Sequence, residues 1–292
     1  MVCLCHSKMN LSQQIHKLRS AIDQAELIII GAGSGLSSAS GLSFDDTANF
    51  NTLFPSYRES YDLQTINQAL FHKFSIPEEQ YAFWTHLITK IRYNHPAEKP
   101  YLDLHRIMEN KKHFIITTNI DGQFLKSGFL PDNLCTPQGA LSFFQCSRPC
   151  NTEIYHNEQM INAMLPHMAD NPFILPAEYI PHCQKCGSPL IPNIRNSSNF
   201  VEKPWIAIYQ NENDLIRNHR GKKILLLELG VGVNTPEIIR YPFEHLVLQR
   251  KNTTMIRINM NLNHLTLLNN SENAVLMQAD IGLVLAELAK AY

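Results

Sequence analysis

Apolar residues Leu11, Ile15, Leu18 and Ile22 recur at i, i+4, i+7 and i+11, one face of a helix. They lead into Leu27-Ile28-Ile29-Ile30, a continuous apolar run that fits a strand covered on both faces, as in a parallel sheet. The glycine turn 31–35 follows at once. The same grammar returns at 113–118, 223–229 and 253–258, where apolar runs stop at Asn119-Ile120-Asp121-Gly122, Gly230-Val231-Gly232 and Asn259. Between them, 78–94 and 100–110 read as helices, and 279–292 closes the chain as an amphipathic helix. Buried strands alternating with helices predict an α/β fold, a doubly wound Rossmann-like parallel sheet. In such sheets ligands bind outside the carboxyl ends of the strands, so the turns at 31, 119, 230 and 259 are expected to converge on one crevice.

The middle of the chain breaks this pattern. Residues 146–199 are rich in Pro, Asn, Cys and His and have little periodicity, which predicts an insert stabilised by something other than a large apolar core. The expected organisation is a nucleotide-binding domain from 1–145 and 200–292 and a small domain over 146–199.

Composition narrows the partners. With 25 basic and 26 acidic residues in 292, a net charge of −1 provides no electrostatic footprint for nucleic acid or a membrane surface. No apolar run approaches the roughly 18 residues of a bilayer span, and residues 1–10 lack the apolar core of a secretory signal. Seven cysteines in such a chain point to a reducing, cytoplasmic setting and a metal site rather than a disulfide framework.

Three constellations carry chemistry. Cys146-x3-Cys150 and Cys183-x2-Cys186 have the spacing at which four thiolates wrap one tetrahedral Zn²⁺, a closed and hence structural site. Cys3-x-Cys5-His6 and Cys135 are left over; the first is read as a frayed terminus. Gly31-x-Gly33 after a strand allows backbone amides to approach a pyrophosphate, with hydroxyls from Ser34, Ser37 and Ser38 nearby. Alone it reads equally well as an ordinary glycine turn, and no acidic residue ends a second strand about 20 residues on as a dehydrogenase requires. Asn119 and Asp121 at a strand end can bind a carboxamide and ribose hydroxyls; alone, an Asx turn capping the next helix explains them better.

Taken together, these elements resemble the sirtuin family. Gly31-Ala32-Gly33, Ser40-Gly41, Thr118-Asn119-Ile120-Asp121, Gln138-Gly139, the two cysteine pairs, Gly230-Val231-Gly232-Val233, Ile258-Asn259 and Asp280 occur in the family's order over nearly the whole chain. Two departures stand out. The family's Asp-Phe-Arg triplet is replaced by Leu42-Ser43-Phe44-Asp45-Asp46, and its catalytic His-Gly by Gln138-Gly139. In both, and in the Cys-x3-Cys spacing, the chain is similar to class M, the macrodomain-linked sirtuins, which ADP-ribosylate proteins.

The resemblance implies NAD⁺ as co-substrate, one structural Zn²⁺, and a cofactor set of Gly31, Ala32, Gly33, Ser34, Ser37, Asn119, Asp121, Gln138, Gly230, Val231, Asn234, Asn259, Asp280 and Ile281. It implies catalytic roles for Asn119, Gln138 and Arg195, with Arg195 clamping an acidic target, although by itself Arg195 reads as a surface arginine. It further implies a lipoylated acceptor resembling the glycine-cleavage H protein and a macrodomain hydrolase as partner. Because a carboxamide has no usable basicity, Gln138 cannot remove the ribose proton that deacylation needs, but it can still hydrogen-bond to the ribose. ADP-ribosyl transfer is therefore expected over the two alternatives, an NAD-dependent deacylase and a non-catalytic NAD or ADP-ribose binding module.

Overall fold

A computed structural model of the protein describes residues 10–196, 198–262, 268 and 271–292. Cys3, Cys5 and His6 lie outside the described residues. The strands among them are, in chain order, β1 (Leu27–Ala32), β2 (His113–Thr117), β3 (Leu134–Cys135), β4 (Gly139–Cys146), β5 (Ile154–His156), β6 (Leu190–Ile194), β7 (Ile224–Leu229), β8 (Thr253–Asn259) and β9 (Ala274–Gln278). Six form a parallel sheet in the order β3-β2-β1-β7-β8-β9; the others form an antiparallel sheet in the order β5-β4-β6.

The expected α/β sheet is present, and its residue pattern explains it. Every residue of β1 and β7 is buried. Along β1, Ile28, Ile30 and Ala32 enter one apolar cluster with helices Leu11–Gln24, Lys99–Met108 and Ile281–Ala289, while Leu27 and Ile29 enter another with helix Arg240–Gln249. A strand covered on both faces must be apolar at every position, so no alternation survives in the sequence. Each fully buried Leu or Ile contributes about 1.5–3 kcal/mol. The first helix opens on a capping box between Asn10 and Gln13, and the last on the Asp280 carboxylate accepting from the amide of Leu283. Among the described residues no helix is long and apolar enough to cross a membrane.

Two charges interrupt the apolar strands. Glu228 of β7 and Arg257 of β8 are register neighbours, both fully buried, and meet at 2.6 Å. Arg257 also meets Glu244 of helix Arg240–Gln249 at 2.9 Å. Burial pushes the Glu228 carboxyl upward, and Arg257 opposes that. On the other side of Glu228, its register partner Gly31 has no side chain, which leaves room for Ile239 and Phe243 to pack on the sheet; a Cβ there would lie 2.4 Å from Ile239.

The middle of the chain differs from the expectation of a poor core. Leu141, Phe144, Cys146, Ile161, Met164, Leu175 and Leu190 join Leu42, Phe50, Phe54, Tyr57, Ile66, Phe83 and Ile88 in one buried cluster. The residues after the first glycine turn, 42–91, thus supply the apolar half of the lobe that also holds the cysteines. Helix Pro77–Leu87 continues into a π-helical turn, Ile88–Tyr93, within the predicted 78–94 helix.

The glycine turn after β1 is pressed against the end of β7. The amides of Gly33 and Gly35 donate to the carbonyls of Leu229 (3.0 Å) and Gly230 (2.9 Å). A Cβ on Gly35 would stand 2.7 Å from the Cα of Gly230, and one on Gly33 2.7 Å from the Gly230 carbonyl oxygen. Backbone cannot yield as a side-chain tip can. Gly35→Ala, although it favours helix, is therefore expected to cost about 1–3 kcal/mol of stability by urea unfolding. Gly232→Ala, with nothing within 4 Å, should stay within about 0.5 kcal/mol. Equal stability of the two variants would contradict the contact.

Candidate active site

The sheet order reverses between β1 and β7, because the chain leaves β1 towards β2 on one side and β7 towards β8 on the other. The four predicted turns meet there. Besides the Gly33 and Gly35 bonds, Thr118 donates to the carbonyl of Ala32 (3.1 Å), Gly230 to that of Ile258 (3.0 Å), and the Asn259 side chain to that of Val231 (3.1 Å). A crevice of about 150 Å³ opens at this point, lined by Ser34, Ser37, Leu42, Phe44, Asn67 and residues 118–121.

Within it, Asn119 and Asp121 are buried and tied to the surrounding elements. Asn119 Nδ2 donates to the carbonyl of Gly33 (3.0 Å) and to the hydroxyl of Tyr101 (3.2 Å). The Ser37 hydroxyl donates to Asp121 Oδ2 at 2.6 Å, and the amide of Gln123 to Oδ1 at 2.9 Å. The Asx turn expected of an ordinary strand end is thus present as well. Burial pushes the Asp121 carboxyl up; the bonds from Gln123 and Ser37, and the positive charge of Arg92 and His95, favour its ionised form.

Gln138 is half-buried on a tight turn, closed by the Gly139 amide donating to the carbonyl of Thr136 at 2.8 Å. Gly139 has φ +84°, and a Cβ there would fall 1.9 Å from the carbonyl oxygen of Asn193. Only glycine lets β4 start against β6 at this point. The turn separates two openings. On one side Thr136 and Ala140 line an apolar cavity of about 190 Å³ that also touches Asn119, Asp121, Phe124, Phe143 and Trp205. On the other side Pro137 lines a cleft of about 240 Å³ with Arg195, Glu202, Trp205, Glu237 and Ile238.

The structure joins Arg195 to Gln138 through backbone, the Arg195 amide donating to the Gln138 carbonyl at 3.0 Å. The guanidinium points elsewhere. It pairs with Glu202 at 2.6 Å, donates to the Pro137 carbonyl at 3.2 Å and stacks over Phe200. It lines the cleft and not the crevice.

Other predicted cofactor residues divide. Ser34, Ser37, Asn119 and Asp121 line the crevice; Gly33, Gly230, Val231 and Asn259 do not line it but interlock at the adjoining strand ends. Gly31 and Ala32 lie inside β1, and Gly31 serves the packing of Ile239 and Phe243. The space a side chain would fill at Gly33 is taken by Gly230 and Val231, so a bulky variant there strains the protein's own backbone before it meets any ligand. Asn234 is exposed on the loop after Gly230, Asp280 caps the last helix, and Ile281 is buried under it. Tyr101, Phe44 and Asn67 were not singled out by the sequence. Tyr101 sits on an apolar helix face, where its ring hides the one polar atom.

The four sulfurs of Cys146, Cys150, Cys183 and Cys186 lie within 4.8 Å of one another, with Cys146–Cys186 at 3.5 Å and Cys150–Cys183 at 3.6 Å. A tetrahedral zinc with Zn–S of about 2.3 Å has S···S edges of about 3.8 Å, so the thiol set fits the ion. The second pair sits on a turn in which the Gly187 amide donates to the Cys183 carbonyl (2.8 Å), with Gly187 at φ +70°.

The chain is 33% identical over 252 residues, 86% of its length and 78% of the relative's, to a protein ADP-ribosyltransferase of Staphylococcus aureus. It is 28% identical over 251 residues to a protein of Fusarium oxysporum f. sp. cubense named "Probable bifunctional ADP-ribose hydrolase/ADP-ribosyltransferase", and spans 42% of that relative. No family model matches. Among solved structures, Sir2Tm bound to a propionylated peptide superposes with a TM-score of 0.58 at 17% identity, covering 95% of this chain and 98% of that one. A Sir2 homologue in complex with NAD superposes with a TM-score of 0.59 at 19% identity, covering 94% and 93%.

Freshly purified protein is expected to contain about one equivalent of zinc. Cys183→Ser should lose it and unfold the β4–β6 lobe, because binding energy in a closed thiolate site is folding energy. A folded, zinc-free wild-type protein by elemental analysis and circular dichroism would contradict the site.

Proposed function

The chain belongs to the protein ADP-ribosyltransferases of sirtuin fold, and from that premise we propose how its site passes ADP-ribose from NAD⁺ to a protein. NAD⁺ lies across the strand ends, its pyrophosphate by the turn 33–35 and its nicotinamide end by Asp121. The C1′–N bond breaks, nicotinamide leaves with the bonding electron pair, and a lone pair on the acceptor forms the new bond to C1′ while any proton it carried is lost to solvent. The observation that carries this reading is Gln138, a carboxamide residue, on the turn whose neighbours Thr136 and Pro137 line the crevice-side cavity and the outer cleft. A group there can orient a ribose hydroxyl but cannot take its proton near neutral pH. Deacylation lacks its base, whereas transfer needs only orientation and an acceptor held in line.

The acceptor enters by the cleft of Pro137, Arg195, Glu202 and Glu237. The Arg195–Glu202 pair is 41% and 47% exposed, and such pairs contribute at most about 1 kcal/mol. Arg195 can therefore exchange Glu202 for an acidic group of the acceptor at little cost. We infer a lipoylated carrier resembling the glycine-cleavage H protein, a reading carried by the class M resemblance and supported by the apolar lining of the adjoining cavity, which suits an aliphatic arm. A macrodomain hydrolase as functional partner is supported by the paired activities in the name of the Fusarium relative. Four thiolates free to bind metal suit a reducing compartment, so we place the enzyme in the cytoplasm.

The test follows label from adenosine-labelled NAD⁺ into the carrier protein. Asn119→Ala and Gln138→Ala are each expected to reduce transfer by about tenfold or more, the effect of losing transition-state hydrogen bonds of about 1.5–3 kcal/mol. Full labelling by both variants would remove these residues from the chemistry. Saturable NAD⁺ binding without nicotinamide release in the wild type would favour a binding module.

A further inference from the structure

Tyr101 belongs to none of the motifs and does not line the crevice, yet its hydroxyl lies between the two groups that do the binding. It stands 3.2 Å from Asn119 Nδ2 and 3.1 Å from the Ser37 hydroxyl, which in turn is 2.6 Å from Asp121 Oδ2. The residue is fully buried on helix Lys99–Met108, its ring edge-on to Phe124 at 5.0 Å.

The direction of every proton in this chain follows from donor and acceptor chemistry. The carbonyl of Gly33 can only accept, so the group of Asn119 beside it is the amide nitrogen. That nitrogen has two hydrogens; one goes to Gly33 and the other to the Tyr101 oxygen. The Ser37 hydroxyl has one hydrogen, and Asp121 Oδ2 takes it. The remaining bond, between Tyr101 and Ser37, can then be made only by the Tyr101 proton. The chain runs Asn119 to Tyr101 to Ser37 to Asp121, each donor polarising the next towards the carboxylate. Burial holds the phenol protonated, far above its ordinary range.

We propose that Tyr101 is a positioning residue for the transfer reaction: its hydroxyl commits the second hydrogen of Asn119, so that Asn119 offers the substrate only an acceptor oxygen, and it directs the Ser37 proton at Asp121. The two ends of the site, ribose and nicotinamide, are thereby set by one buried group. This assignment rests on the reaction proposed above. It implies that Asn119 recognises a hydroxyl donor on the substrate and cannot itself donate to a developing oxyanion.

Tyr101→Phe keeps the ring and removes the hydroxyl. Nicotinamide release is measured against pH for wild type, Tyr101→Phe, Ser37→Ala and the double variant. Tyr101→Phe is expected to reduce kcat about tenfold, with KM for NAD⁺ changed less than about threefold, as for a buried hydrogen bond that orients rather than binds. The groups facing Asp121 are Ser37, Gln123 through its amide, Tyr101, Arg92 and His95, the last within 2.9 Å of Glu98. Arg92 and His95 remain in all variants. Losing the Tyr101 and Ser37 bonds weakens donation to the carboxylate, raises the pH at which Asp121 ionises, and moves the acid limb of the profile to higher pH. Because part of the Tyr101 effect on Asp121 is relayed by Ser37 and part is direct, the limb shift of the double variant should be smaller than the sum of the two single shifts. A Tyr101→Phe profile identical to wild type, or limb shifts that add in the double variant, would overturn the proposal. Should Tyr101→Phe fail to fold, the wild type alone decides. Both side-chain amide protons of Asn119 should be protected from solvent exchange by NMR, and exchange at the rate of a free amide would overturn it. If the wild type releases no nicotinamide, the reaction itself fails; the NMR result still tests the hydrogen-bond chain.

Discussion

The site depends on one close approach of backbone to backbone, where the turn after β1 meets the end of β7. With Gly35 facing Gly230 and Gly33 facing the Gly230 carbonyl, the two strand ends interlock without a side chain between them. This is the point at which the sheet order reverses. The same contact fixes the carbonyl of Gly33, and that carbonyl orients the amide of Asn119. Val231, one residue beyond the contact, holds Asn259. Polar groups from three strand ends are thus placed with respect to one another by the lack of three β-carbons. Beneath them, Arg257 bonded to Glu228 and Glu244 ties β7, β8 and the covering helix together. Buried ions do not by themselves stabilise a sheet, but removing one partner would leave an uncompensated charge at a cost of about 3–5 kcal/mol.

A second close approach lies within the smaller sheet. Gly139 begins β4 so near to Asn193 of β6 that no side chain fits, and this sets the preceding turn, with Gln138, between the crevice-side cavity and the outer cleft. The thiolate cluster at the far end of β4 holds β4 to the Cys183–Cys186 turn. Gln138 and the four thiols therefore lie at opposite ends of one strand. A zinc held by those thiols would organise the lobe that carries Gln138.

Much of this was legible in the sequence, and the reasons are specific. The runs 27–30 and 223–229 declared buried parallel strands because both faces of the sheet are covered. Cysteine spacing declared the thiolate cluster because a small ion constrains neighbours in the chain. The core of the second lobe was not legible: Phe50, Phe54 and Phe83 reach Leu141 and Phe144 over long stretches of chain, and short capped helices carry no periodicity. Gly31 was read with the phosphate turn although its space serves Phe243, because a glycine in sequence does not say what fills its place. Glu228 and Arg257 stand within apolar runs, and only the strand register shows that they are partners. Tyr101 hides a functional hydroxyl on a residue whose ring belongs to the core.

Transfer of ADP-ribose to a protein and removal of acyl groups from lysine both consume NAD⁺ and both release nicotinamide, but they leave different products. Adenosine-labelled NAD⁺ incubated with the wild-type enzyme, an acyl-lysine peptide and a lipoylated carrier protein puts both outcomes in one reaction, resolved by mass spectrometry. The transferase reading of Gln138 requires one equivalent of nicotinamide per label bound covalently to the carrier, with the peptide still acylated. Label recovered as O-acyl-ADP-ribose, with free lysine on the peptide and an unmodified carrier, would contradict it.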